Sequence, residues 1–164
     1  CPRLVEYRRD NARQNPDWFN GAAPSFGDPG ARLLVAGLAP GRTGANRTGR
    51  PFTGDGAGWI LYETLLKTGF ATGQYEARPD DTLQLVDCMI TNIVTLGDVS
   101  RRNVLKALGL KGSAAPPGHG VEADLGGYVI LNSYHCSRLN TNTGRLTPAM
   151  FETVFRRARE IIER

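Results

Sequence analysis

Apolar residues alternate along the chain between short continuous runs and helically spaced sets, and the two patterns take turns. Leu4 and Tyr7 lie three apart beside Val5 within Cys1–Asn15, which predicts an amphipathic helix there. Pro16 to Gly30 reads as loop. A buried strand follows at Arg32 to Ala39, then a long glycine-rich loop, then a helix from about Gly58 to Thr68 with Ile60, Leu61, Leu65 and Leu66 at helical spacing. Leu83 to Val94 predicts a second buried strand, and Asp98 is placed to cap a helix running through Leu108. Lys111 to Asp124, broken by Pro116 and Pro117, is irregular. Tyr128 to Tyr134 predicts a third strand, and Thr147-Pro148 opens a final helix, with proline at a first-turn position where its missing amide hydrogen costs nothing. Strands separated by helices imply an α/β sandwich with a mainly parallel sheet, whose ligands sit beyond the carboxyl ends of the strands.

Composition narrows this picture. A chain of 164 residues with 40% apolar content supplies one domain, spanning residues 1–164, with a core of its own. The net charge of +4 is mildly basic, compatible with a polyanionic partner without requiring one. No apolar run reaches the ~20 residues of a membrane span, and the start has no secretory pattern, so the expectation is a soluble cytoplasmic protein without a membrane partner. Three cysteines without metal-ligand spacing argue against a disulfide framework; Cys88 reads as a buried strand residue and Cys136 as a small residue at a turn.

Two segments carry the chemistry. The first, Gly37-Leu-Ala-Pro-Gly-Arg-Thr-Gly-Ala-Asn-Arg-Thr-Gly-Arg-Pro-Phe-Thr-Gly-Asp55, leaves the first strand with glycines that let a ligand approach the backbone, and with Arg42, Arg47 and Arg50 for positive charge. It lacks the lysine of a nucleotide-hydrolase loop and the glycine spacing of a dinucleotide fingerprint. It offers instead Asn46, Phe52, Asp55 and free amides, a set suited to a planar, stackable, hydrogen-bonding ligand such as a nucleobase. The second, Asn132-Ser-Tyr-His-Cys-Ser-Arg-Leu-Asn-Thr-Asn-Thr-Gly-Arg-Leu146, leaves the third strand with Arg138 and Arg145 among hydroxyl and amide side chains able to bond phosphates.

Together with Thr91-Asn-Ile-Val94, these motifs resemble the uracil-DNA glycosylase superfamily, and most of all its family 5 iron-sulfur branch, over nearly the whole chain. The resemblance implies a three-layer sandwich around a four-stranded, mainly parallel sheet. It implies a monomeric, monofunctional DNA glycosylase of bacterial or archaeal type that hydrolyses the N-glycosidic bond of uracil, or of hypoxanthine, xanthine or a modified cytosine, after the base has left the stack. Phe52 matches the aromatic platform for that base, beside the Gly41 backbone, and Asn92 matches the asparagine that reads the pyrimidine edge. His135 matches the histidine that bonds the base oxygen on which charge grows as the bond breaks. Ser137, Arg138, Leu139, Asn140 and Arg145 match the loop that enters the minor groove, with Arg138 as phosphate contact and Leu139 as wedge; Arg42 and Arg47 add contacts to the DNA. Phe52 as a core residue, and His135 or Asn92 as structural side chains, are the plainer alternatives. His119, in Pro-Pro-Gly-His-Gly, matches nothing and reads as a loop residue.

The sequence departs from the family in two places. Relatives in other branches carry an acid or amide beside the proline of the first motif to orient the attacking water, whereas here the run is Leu38-Ala39-Pro40-Gly41. Asn46 and Asp55 are the nearest candidates, and Asp55 serves equally well as a cap for the helix after it. Family 5 holds a 4Fe-4S cluster on four cysteines, of which Cys1 alone has a counterpart, and a loop, helix and strand of the family have no place between Val94 and Thr95. The expectation is therefore that residues are missing there and before position 1. The alternative is an inactive, cluster-less relative that binds DNA or nucleotides.

Overall fold

The computed structural model describes residues 2–37, 39–91 and 97–163; Cys1, Asn92 and the join of Val94 to Thr95 lie outside them. An N-terminal helix, α1 (Pro2–Gln14), precedes strands β1 (Phe26–Gly27) and β2 (Leu33–Ala36). A short helix α2 (Ala45–Thr48) lies within the glycine-rich loop and leads to α3 (Gly56–Lys67). Strands β3 (Ala71–Thr72), β4 (Gln84–Leu85) and β5 (Cys88–Thr91) follow, then α4 (Asp98–Ala107), the hairpin strands β6 (Glu122–Asp124) and β7 (Val129–Leu131), a short α5 (Arg138–Asn142) and the closing α6 (Pro148–Ile162).

The fold is α/β. Among the described residues the principal sheet has three strands in the order β1-β5-β2 and is mixed. β2 runs parallel to β5, with Leu33 opposite Cys88 and Ala36 opposite Thr91, whereas β1 pairs antiparallel, with Phe26 opposite Ile90. The third expected strand differs more. β7 takes the apolar run after Tyr128 but pairs antiparallel with β6, Ala123 facing Ile130, and among the described residues not with the principal sheet. A run of four apolar residues specifies an extended, half-buried segment; it does not name its neighbour.

Helix α3 begins two residues earlier than its apolar spacing indicates, because Asp55 caps it: the carboxylate accepts the amide hydrogens of Ala57 and Gly58 at 3.1 and 3.2 Å. Thr147 caps α6 through Met150 N at 3.2 Å, with Pro148 at its first position. Helix α4 departs from expectation at its start. Gly97 occupies the cap and Asp98 is the first helical residue, its carboxylate engaged instead by Arg101 at 2.6 Å and Arg102 at 3.0 Å. The core forms where α3 meets α6 over the sheet. Leu61, Leu65, Phe70, Ile90, Phe151 and Phe155 are all buried in it, and Phe151 and Phe155 pack edge to face with centroids 5.0 Å apart.

A second packing unit secures the loop between α2 and α3. Arg50, read from the sequence as charge for a ligand, is buried and forms a two-pronged pair with Asp81, both bonds 2.8 Å. Its guanidinium lies 5.1 to 5.8 Å from the ring centroids of Phe26, Tyr62 and Tyr75, and its Nε donates to Thr53 Oγ1 at 2.7 Å. The hydroxyls of Tyr62 and Tyr75 donate to the carbonyls of Pro51 and Phe52 at 2.6 and 3.1 Å. Pro51, Phe52 and Thr53 are thus each held from a buried cage.

Candidate active site

The glycine-rich loop and the loop after β7 converge on one cleft of about 440 Å³. Gly41 and Phe52 of the first motif, Asp55 at the head of α3, and His135, Ser137 and Arg138 of the second all line it. Phe52 and His135 face one another there with ring centroids 6.3 Å apart and planes tilted by 34°. Phe52 sits at φ +53, a left-handed conformation uncommon for a side chain of its size, and the Tyr75 bond to its carbonyl helps hold it. Helix α3 comes so close behind that a Cβ on Gly58 would stand 1.8 Å from the Phe52 carbonyl oxygen.

Asp55 fills two places at once. Its Oδ1 caps α3, while Oδ2 faces the loop backbone, where a Cβ on Gly41 or Gly44 would stand 3.0 or 2.4 Å from it. The two sequence readings of Asp55, cap and cleft residue, are therefore compatible. His135 is half-buried. Burial pushes its imidazole below the usual histidine value, and the Asp55 carboxylate draws it partly back. Its Nδ1 is enclosed with no hydrogen-bond partner. An enclosed lone pair is less costly than an enclosed N–H, so the proton belongs on Nε2, which meets no protein acceptor among the described residues and stays accessible.

The other candidates are distributed around this cleft. Asn46 lies on α2 and donates to Asn20 Oδ1 at 3.2 Å, away from the lining. Arg42 is tied back to Asn11 Oδ1 at 2.8 Å over the Trp18 ring, and Arg47 to the Thr43 carbonyl at 2.9 Å. Arg138 extends over Gly56 at the start of α3, where a Cβ would meet its Nε at 2.5 Å. Leu139 next to it on α5 is 73% exposed. Asn140 donates to the His135 carbonyl at 2.8 Å, and Arg145 lies 4.6 Å from the Tyr134 ring centroid; both line a neighbouring cleft of about 430 Å³ beyond His135. Asn92 is outside the described residues. Sequence reasoning did not single out Ala39, Thr43 and Gly54 of the lining, which lie within the first motif, nor Gly56 and Ala57, whose only signal is adjacency to it, nor the Arg50–Asp81 cage, for which there is no local signal.

The described residues do not fit an iron-sulfur cluster. No group of three metal-ligating side chains occurs among the described residues, and Cys88 and Cys136, both buried, have thiols that burial pushes up to about 12. Cys1 lies outside them.

The model of the Uracil DNA glycosylase superfamily matches residues 24–159, a span that includes both motifs and the whole cleft. The chain belongs to the uracil-DNA glycosylase superfamily. It is similar to the type-5 uracil-DNA glycosylase of Thermus thermophilus, 37% identical over 203 residues that cover 98% of this chain and 92% of the relative. The type-5 enzyme of Pyrobaculum aerophilum is 34% identical over 196 residues, covering 96% and 86%, and that of Mycobacterium tuberculosis 34% over 206 residues, covering 98% and 76%.

Proposed function

We propose that the protein is a monofunctional uracil-DNA glycosylase that hydrolyses the N-glycosidic bond of uracil flipped out of DNA, the opening step of base excision repair. Membership of the superfamily and the relatives' type-5 glycosylase names support the reaction; the observation that carries it to particular residues is Phe52 and His135 facing each other across one cleft. A base entering there stacks on Phe52 and presents a carbonyl oxygen to His135 Nε2–H. As the C1′–N1 bond breaks, its electron pair goes to the base, and the fixed donor stabilises the resulting anion. The sugar becomes oxocarbenium-like, and water adds at C1′ with loss of a proton. Asp55 Oδ2 orients that water, at a position where the Leu38-Ala39-Pro40-Gly41 run supplies no acid. Asn92 reads the base edge. Arg138 contacts a phosphate and exposed Leu139 fills the vacated stack, the use that wedge side chains have in duplex deformation.

Among the described residues no helix is long and apolar enough to cross a membrane. We assign the chain to a single monomeric domain acting on chromosomal DNA in the cytoplasm. The alignment with the Thermus protein runs to 203 residues against the 164 of this chain, which supports the reading that the family holds residues without a counterpart here. No step of the mechanism passes through a cluster.

The test is a single-turnover assay on duplex DNA carrying one uracil, with strand scission by alkali. Cleavage lost in His135→Ala confirms the reading. An intact uracil strand at excess wild-type enzyme overturns it in favour of a binding-only relative, and parallel duplexes with hypoxanthine, xanthine or modified cytosine set the range of bases.

A further inference from the structure

His119, outside the cleft and without a match to either motif, bonds to the segment that carries His135. Its Nδ1 lies 3.2 Å from the backbone nitrogen of Tyr134, and its Nε2 lies 3.2 Å from the carbonyl oxygen of Met150 in the first turn of α6. An amide N–H only donates and a carbonyl only accepts. Nδ1 must therefore carry the lone pair and Nε2 the proton, which fixes one neutral tautomer. The ring also lies against Tyr134, with centroids 5.2 Å apart and planes 31° from parallel. Ser133 Oγ, 3.4 Å from Nδ1, spends its own hydrogen on the Tyr134 carbonyl at 2.9 Å.

We propose that His119 is a positioning residue for the glycosylase reaction, holding through its imidazole the Tyr134 amide, and so the angle at which His135 enters the cleft. Side chains anchor the backbone on both sides of His135: before it, His119 takes the Tyr134 N–H and Ser133 Oγ donates to the Tyr134 carbonyl, and after it the Asn140 amide takes the His135 carbonyl at 2.8 Å. The His135 ring itself has no polar tie on Nδ1, so its direction depends on these backbone anchors and on packing. The chain approaching His119 is itself paired with the end of β7, Gly120 N donating to the Asn132 carbonyl at 2.8 Å and Asn132 N to the Val121 carbonyl at 2.9 Å. His119 extends that pairing by one bond past the strand end and couples it to α6. A donor that must meet a base oxygen tolerates little displacement, because an error of about 1 Å in a reacting geometry costs on the order of 100-fold in rate.

This inference rests on the glycosylase reading, and the experiment separates the two. His119→Leu removes both bonds; His119→Asn keeps an acceptor near the position of Nδ1. Wild type and both variants are assayed under single turnover at saturating enzyme on uracil duplex, with duplex affinity and thermal midpoint measured alongside. The expected result is a rate about 10- to 100-fold lower in His119→Leu, with unchanged duplex affinity, and recovery of most of that rate in His119→Asn. A folded His119→Leu with the wild-type rate, or a folded His119→Asn as slow as His119→Leu, overturns the proposal. Long-range ¹H–¹⁵N spectra give a second readout: wild-type His119 protonated on Nε2 alone, and His135 ring resonances displaced in His119→Leu but not in His119→Asn. A proton on His119 Nδ1, or His135 resonances unmoved in His119→Leu, overturns the proposal by itself. Should His119→Leu not fold, the wild-type tautomer and the rate and spectra of His119→Asn decide. If wild type leaves uracil intact, the functional reading falls, while the spectra still decide whether His119 orients His135.

Discussion

Replacing Arg50 by methionine isolates what the buried cage contributes. Arg50 and Asp81 side chains are 7% and 0% exposed, so the pair is screened little by water. Burial opposes the Asp81 carboxylate, yet the Arg50 fork and the amides of Glu76 and Leu83 hold it at about 2, against an ordinary 3.8. That difference corresponds to stability on the order of 2 kcal/mol at neutral pH, present above 3.8 and lost as the pH falls through about 2. Arg50→Met leaves a buried carboxylate with only two amide donors, which costs about 3–5 kcal/mol, a large share of the 5–15 kcal/mol of a typical domain. In the variant the Asp81 pKa rises, so protonation relieves the unpaired charge as the pH falls. The gap to wild type should therefore be widest near pH 7 and narrow below about pH 5. Urea unfolding followed by Trp59, whose ring packs 4.9 Å from Tyr75, reads this directly. A gap that stays constant from pH 7 to pH 3.5, or no gap at pH 7, would refute the argument. Removing both charges in Arg50→Met with Asp81→Leu recovers only part of the loss, because the part-buried amide of Leu83 is then left unpaired at about 1–3 kcal/mol, while the exposed Glu76 amide turns to water.

Gly58→Ala drives a methyl group to within 1.8 Å of the Phe52 carbonyl and 2.4 Å of the Tyr75 hydroxyl, so it should cost about 1–3 kcal/mol in a thermal melt and weaken uracil-duplex turnover together with it. Wild-type turnover in the Gly58→Ala variant would show that the Phe52 backbone does not need its present place. Asp55→Ala should lose about 1 kcal/mol of stability with the cap and about 100-fold in single-turnover rate. Asp55→Ser, which restores the cap without the carboxylate, should regain the stability and not the rate.

Local chemistry was legible and long-range pairing was not. The opening of α6 at Thr147-Pro148, the helically spaced apolar set of α3, and the burial of Cys88 follow from residues close to one another in the chain. Asp98 shows the limit of even local reasoning: with Gly97 ahead of it and Arg101 and Arg102 one turn on, its carboxylate serves side chains and not amides. Arg50 failed for a different reason. Its partner Asp81 lies 31 residues away in a segment with no motif, so nothing nearby marked the arginine as neutralised. β7 likewise carried the expected apolar run but found its partner in β6. In the cleft, the motifs named Phe52, Asp55 and His135 individually, and the fold supplied what no spacing encodes, their convergence from two strand ends.

The protonation state of His135 decides how the proposed reaction responds to pH. Burial lowers its pKa from 6.5, so the folded protein keeps the imidazole neutral at a pH where the unfolded chain has begun to take up a proton. Stability is therefore lost as the pH falls from 6.5 through the lowered folded value. An imidazolium in this position would need an acceptor for Nδ1–H as well as for Nε2–H, and Nδ1 is enclosed without one. The neutral Nε2–H form avoids that cost and still offers a fixed donor to a leaving anion, which carries the full charge and needs no second charge beside it. The single-turnover rate on uracil duplex should accordingly stay level as the pH rises from 6.5 to 8.5. A rate falling about tenfold per pH unit across that interval would make the imidazolium the working form and sink the assignment.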